Sequence, residues 1–87
     1  MIKITHVRTT GPSQLELTFS DGGMAQWSAD DLIARNTPLT APLADPDYFA
    51  RAFLEAGALA WPNGLELSPS ALYQRLSETG ALRRAAA

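Results

Sequence analysis

The sequence predicts a small α+β domain, a mainly antiparallel sheet of about five strands packed with two or three short helices. Leu15, Leu17 and Phe19 alternate with Gln14, Glu16 and Thr18, the pattern of a strand with one face buried and the other in water. Ser20-Asp21-Gly22-Gly23 follows directly and is hairpin chemistry, because Asp and Gly accept the left-handed positions of a tight reversal. Further on, Trp61-Pro62-Asn63-Gly64-Leu65-Glu66-Leu67-Ser68-Pro69 reads as a strand end, a turn, a short return strand and a capped helix. Pro62 fixes φ, and Asn63 and Gly64 tolerate positive φ, so the backbone can reverse there.

Taken in order, Ile2, Ile4 and Val7 place a first strand over residues 2–8, with a slip after His6 that marks a bulge. Thr9-Thr10-Gly11-Pro12-Ser13 ends it. The second strand covers 14–19, and Met24 to Trp27 returns beside it. Ser28-Ala29-Asp30-Asp31 opens a helix over 29–35. Ser28 accepts from a free amide, Asp31 reaches back three residues, and both carboxylates favour the positive helix end. Leu32, Ile33 and Leu39 face inward, and Pro38 stops the helix near Arg35-Asn36. Thr37 to Ala44 is then an ordered loop.

Asp45 caps a second helical start with Pro46 at its first position. Beyond it the local rules conflict. Tyr48, Phe49, Ala52, Phe53 and Ala56 have helical spacing, whereas strands 51–55 and 58–61 around Glu55-Ala56-Gly57 make a hairpin; segments this short leave both open. The last helix, 69–79, has Ser68 as cap, Pro69 first, an apolar stripe of Leu72, Tyr73 and Leu76, and Gly80 as its stop. Residues 1–82 form one domain and 83–87 a frayed tail.

An 87-residue chain with 46% apolar and 18% charged residues has the composition of a single globular domain rather than a disordered segment. It has no cysteine, which removes disulfides, thiolate zinc sites and Cys nucleophiles and fits a reducing compartment, with the cytoplasm as the expected location. A formal charge of −2 lacks the cationic excess of a direct nucleic-acid binder. No apolar run is long enough for a signal peptide or a membrane span.

Phe19-Ser20-Asp21-Gly22, then Leu43-Ala44-Asp45 with Phe49, then Trp61-Pro62-Asn63-Gly64 with Leu67, Pro69, Leu72 and Tyr73 resemble the bacterial family catalogued as domain of unknown function 2442. Two departures stand out: Glu66 where the family usually has Asp, and Ala52 and Ala58 where it usually has β-branched strand residues. The resemblance implies a small α+β domain with a strand and a tight turn between Phe49 and Trp61, which favours the hairpin there. It also implies a domain sometimes fused to a helix-turn-helix and often encoded beside a small partner, in arrangements that look like toxin–antitoxin pairs. It brings no catalytic residue.

His6 is the one histidine, which excludes a His-rich metal site and gives a catalytic triad little to build on. Asp21, Gly22, Asp45, Phe49, Trp61, Pro62, Asn63, Gly64, Pro69, Leu72 and Tyr73 take structural roles in turns, caps and core. Asp30, Asp31, Glu66 and Trp27 are the candidate partner-binding residues: exposed carboxylates able to meet a partner's arginine, and a large ring at a strand end. No catalytic, metal or cofactor residue is expected. These observations lead to a non-enzymatic protein-interaction module that binds a basic partner, and the resemblance implies an antitoxin-like protein or small inhibitor whose partner is a neighbour-encoded toxin or a host defence protein. The competing readings are an accessory domain of a transcriptional regulator and a small ligand-binding domain. The edge of the first strand is expected to serve self-association as a homodimer.

Overall fold

The computed structural model describes residues 1–84. In chain order these form β1 (Ile4–Gly11), β2 (Gln14–Phe19), β3 (Gly23–Ser28), α1 (Asp30–Arg35), a 3-10 turn (Ala41–Ala44) and α2 (Pro46–Phe49). There follow β4 (Phe53–Glu55), β5 (Ala58–Ala60), β6 (Glu66–Leu67), α3 (Pro69–Glu78) and β7 (Arg83–Arg84). The fold is α+β and its strands pair antiparallel, but they divide between two small sheets, ordered β1-β2-β3-β7 and β4-β5-β6. The eight-residue β1 and the three-residue β4 belong to different sheets, and the two sheets meet near the start of β1. There the Ile4 amide donates to the Gly57 carbonyl at 2.9 Å.

β1 runs to Gly11, past the expected end, because Pro12 and Ser13 alone make the reversal and Gly11 lies opposite Gln14. Its register shifts between Ile4 and His6, where the apolar pattern slips. At the β2–β3 turn Gly22 takes φ +88° and its amide donates to the Phe19 carbonyl at 2.9 Å, so Gly supplies the left-handed step. The Asp21 carboxylate accepts from the Gly23 amide at 2.8 Å and from the Tyr73 hydroxyl, which ties the turn to α3. Tyr73 also meets Phe19 edge to face at 5.1 Å.

α1 ends at Arg35 with Asn36 left-handed at φ 53°. Its start differs from a capping box. Ser28 Oγ accepts from the Asp30 amide at 3.2 Å, while the Asp31 carboxylate turns to Arg75 of α3, 3.7 Å away. Leu32 and Ile33 pack half-buried on the core, but Leu39 is 45% exposed, contrary to its expected inward placement. Thr37 and Thr40 explain this: each hydroxyl accepts from the other's amide, at 3.1 and 3.0 Å, and the turn they close buries Leu43 instead.

The helix–hairpin conflict resolves as the hairpin. Asp45 caps α2 by accepting from the Asp47 amide at 3.0 Å, yet the helix stops after four residues. The Phe49 carbonyl, which a longer helix would offer to the Phe53 amide, accepts instead from the Ala52 amide at 3.2 Å and from the Trp61 indole at 3.1 Å. Ala56 and Gly57, at φ 52° and 84°, have the paired positive angles of a type I′ turn, whose twist matches that of the flanking strands.

At Trp61-Pro62-Asn63-Gly64 the Gly64 amide closes the turn on the Trp61 carbonyl at 3.1 Å, and only Gly64 takes positive φ, +95°. Asn63 acts through its side chain instead. Its Oδ1 accepts from the Leu65 amide at 3.1 Å, and its Nδ2 donates to the Leu39 carbonyl at 3.1 Å. Its backbone amide donates to the Tyr48 hydroxyl at 3.0 Å. The turn therefore clamps the Thr37–Tyr48 segment.

Ser68 caps α3 by accepting from the Ala71 amide at 3.2 Å. Gly80, at φ +75°, ends it with the Ala81 amide on the Leu76 carbonyl at 2.9 Å, a Schellman closure. The expected frayed tail is corrected in part: Arg83 and Arg84 pair with Met24 and Gly23 of β3, and the rest of it, residues 85–87, lies outside the described residues. One apolar core joins Leu15, Leu17 and Phe19 of the first sheet to Leu59 and Trp61 around the second, and to Leu72 and Leu76 of α3.

Candidate partner-binding groove

Two faces of the fold leave a gap between them. α1 presents Asp31, Leu32 and Arg35, and α3 presents Ala71, Leu72, Arg75 and Leu76. Asp31 and Arg35 are four residues apart, so both fall on the α1 face that carries Leu32. Between these helices an open groove of about 370 Å³ is floored by Trp27 at the end of β3 and by Leu67 of β6. The Trp27 ring is half-buried and lies 6.2 Å from the ring of Trp61, which is itself 1% exposed and 5.8 Å from Phe49. A row of tilted aromatic contacts therefore backs the floor.

The four candidate partner-binding residues separate. Trp27 and Asp31 line the groove together. Asp30 turns away, its carboxylate accepting from Ser13 Oγ at 2.8 Å, a bond that pins the β1–β2 turn to the start of α1 beside the Ala29 amide on the Ser13 carbonyl at 2.9 Å. Glu66 is exposed on β6, opposite Ala60, outside the groove that its neighbours Leu67 and Ser68 help to line. Arg35 and Arg75, which sequence reasoning passed over, stand on the rim; the signal for Arg35 was its spacing from Asp31. The Asp31–Arg75 pair crosses the groove with side chains 85% and 68% exposed, a loose contact that solvent weakens and a partner can displace. Among the described residues Arg35 has no ion-pair partner.

His6 is exposed, its Nδ1 3.3 Å from Thr5 Oγ1. Among the described residues no three His, Asp or Glu side chains gather as metal ligands, and no helix is long and apolar enough to cross a membrane.

Residues 4–78 match the family described as Protein of unknown function (DUF2442). The chain belongs to that family. The segments that carry the earlier resemblance make the Tyr73–Asp21 and Asn63–Leu39 hydrogen bonds between distant parts of the chain and the local Asp47–Asp45 cap of α2. The groove rim at Asp31, Arg35 and Arg75 lies inside the matched region but outside those segments. No curated protein and no solved structure matches the chain.

Proposed function

We propose that this DUF2442 chain is a non-enzymatic protein-interaction module, an antitoxin-like or inhibitor protein that covers the basic surface of a partner in a reducing, cytoplasmic setting. The observation that supports this reading is the meeting of Trp27 and Asp31 in one open groove over an aliphatic floor. A half-buried indole beside a carboxylate, ringed by Leu side chains, has the composition of an interaction hot spot. The formal charge of −2 adds long-range attraction for a basic partner, which acts chiefly on encounter rate and choice of partner.

The test is calorimetric titration against the protein encoded next to this chain, repeated with Trp27→Ala and with Asp31→Lys combined with Glu66→Lys. Binding is expected, at least tenfold weaker with Trp27→Ala, and weaker at low salt with the charge-reversed pair. Undiminished binding by the double reversal at low salt removes the basic-partner element, and the β1 edge becomes the surface to probe. Absence of binding by the unmodified chain defeats the reading itself.

A further inference from the structure

The rim of the α1–α3 groove is charged against the molecule as a whole. The chain carries −2 overall, yet Arg35 and Arg75 face the groove against the single carboxylate of Asp31. Arg75 shares Asp31 only loosely, at 3.7 Å, and Arg35 has no ion-pair partner among the described residues. The site therefore combines an exposed guanidinium that has no ion-pair partner among the described residues with an apolar floor of Trp27, Leu67 and Leu72. Its volume of about 370 Å³ lies at the small end of ligand clefts, which span roughly 300–1,000 Å³. That is room for the side chains of one or two residues.

We infer that this groove captures the C-terminus of the partner chain, an apolar final residue whose side chain rests on Trp27 and Leu72 while its α-carboxylate meets the Arg35 side of the rim. This inference rests on the protein-interaction reading and names the contact within it. A terminal residue is the element of a protein that carries an apolar body and an anion on one small group, and capture of the terminal carboxylate is a recurrent recognition mode. Arg suits the task because its planar fork grips a carboxylate with two parallel hydrogen bonds. The same chemistry reconciles a basic partner with a basic rim: the partner's surface supplies cations to the acidic protein, and its terminus supplies the one anion that the groove requires.

The probes are N-acetyl-Leu-Leu as the free acid, the same dipeptide as its C-terminal amide, and amidated N-acetyl-Leu-Glu-Leu, whose carboxylate is internal. Each is titrated into the 15N-labelled chain and followed by amide resonances and by the Trp27 indole. The free acid is expected to shift Leu32, Arg35, Ala71, Arg75 and the Trp27 indole, and to bind about tenfold tighter than the amide, as loss of a charge-assisted hydrogen bond implies. Arg35→Glu is expected to abolish that preference while leaving resonances away from the groove in place, and Arg35→Lys to restore it in part. Equal binding of acid and amide, shifts outside the groove, or a preference that survives Arg35→Glu overturns the inference. Tighter binding of the internal-carboxylate peptide overturns it as well, in favour of an internal acidic residue. If the free acid binds as expected while the neighbour-encoded protein does not, the groove chemistry stands and the partner reading falls. The reverse pattern keeps the partner and discards the terminus.

Discussion

Ala56 holds φ 52° in the β4–β5 turn, a position where a side chain without polar atoms is disfavoured and Asn or Gly ordinarily stands. Ala56→Asn is expected to stabilise the fold by about 0.5–1 kcal/mol, raising Tm by roughly 4–8 °C per kcal/mol for a domain of this size. Thermal unfolding followed by circular dichroism checks it, and a lower Tm contradicts the turn assignment. Asn63 works in the opposite sense, since its side chain joins the Leu39 carbonyl and the Leu65 amide. Asn63→Ala should cost about 1–2 kcal/mol. Asn63→Asp, which keeps the acceptor for Leu65 and loses the donor to Leu39, should fall between. Sequence reading finds Asn63 but for the wrong property: it proposes tolerance of positive φ, whereas Gly64 supplies that and Asn63 supplies bonds. The donor bond reaches a residue 24 positions away, and local turn chemistry carries no record of such a partner.

Among the elements, α3 depends on Ser68 as its cap and buries Leu72 and Leu76, so loss of the cap also loosens one wall of the groove. Ser68→Ala is expected to lower stability by about 1 kcal/mol, with Ser68→Asp close to the unmodified chain. Urea titration reads both, and an unchanged midpoint in the alanine variant refutes the cap. Capped helices and the Asp-Gly hairpin are legible in the sequence because their chemistry is confined to a few consecutive residues. The stretch from Ala52 to Trp61 is not, because the Phe49 carbonyl accepts both from the Ala52 amide at 3.2 Å and from the Trp61 indole at 3.1 Å, and the second, long-range donor is one that helical spacing does not register. The separation into two sheets is hidden for a related reason: alternation marks a strand without naming its neighbour.

For the molecule as a whole, a continuous core joins both sheets and α3, so unfolding should be a single cooperative event. Urea curves from tryptophan fluorescence and from far-ultraviolet circular dichroism are expected to coincide. Trp61→Phe should lower the common midpoint by the equivalent of about 2 kcal/mol, from lost packing and the lost bond to Phe49. Two separated transitions would mean that the sheets unfold as independent units. Charge was the least legible property at this scale. A balance of −2 reads as an acidic surface, but the carboxylates are not spread evenly: Asp21, Asp30 and Asp45 sit at turns and caps and Glu16 pairs with Arg8 at 3.1 Å. A formal count does not say where charges lie, and the groove rim, with Arg35 and Arg75 against Asp31, is locally basic. Trp27 and Asp31 were recoverable from sequence. Arg75 was not, because its place opposite α1 is set by how α3 docks.

The seam between the sheets carries a consequence for how the chain assembles. β1-β2-β3 and β4-β5-β6 each connect strands adjacent in the chain, so each meander can zip up by closing short loops, which is fast. Joining them is different in kind. The Ile4 amide must find the Gly57 carbonyl, and Tyr73 must find Asp21 across 52 positions, with the loop entropy spent before any contact repays it. Gly57 stands at that seam with φ +84°, and a Cβ there would lie 2.8 Å from the Cβ of Lys3. In stopped-flow measurements Gly57→Ala, which strains both the β4–β5 turn and this seam, should act mainly by slowing refolding. If it chiefly hastens unfolding instead, the seam closes after the barrier, and the two meanders search for each other on the downhill side.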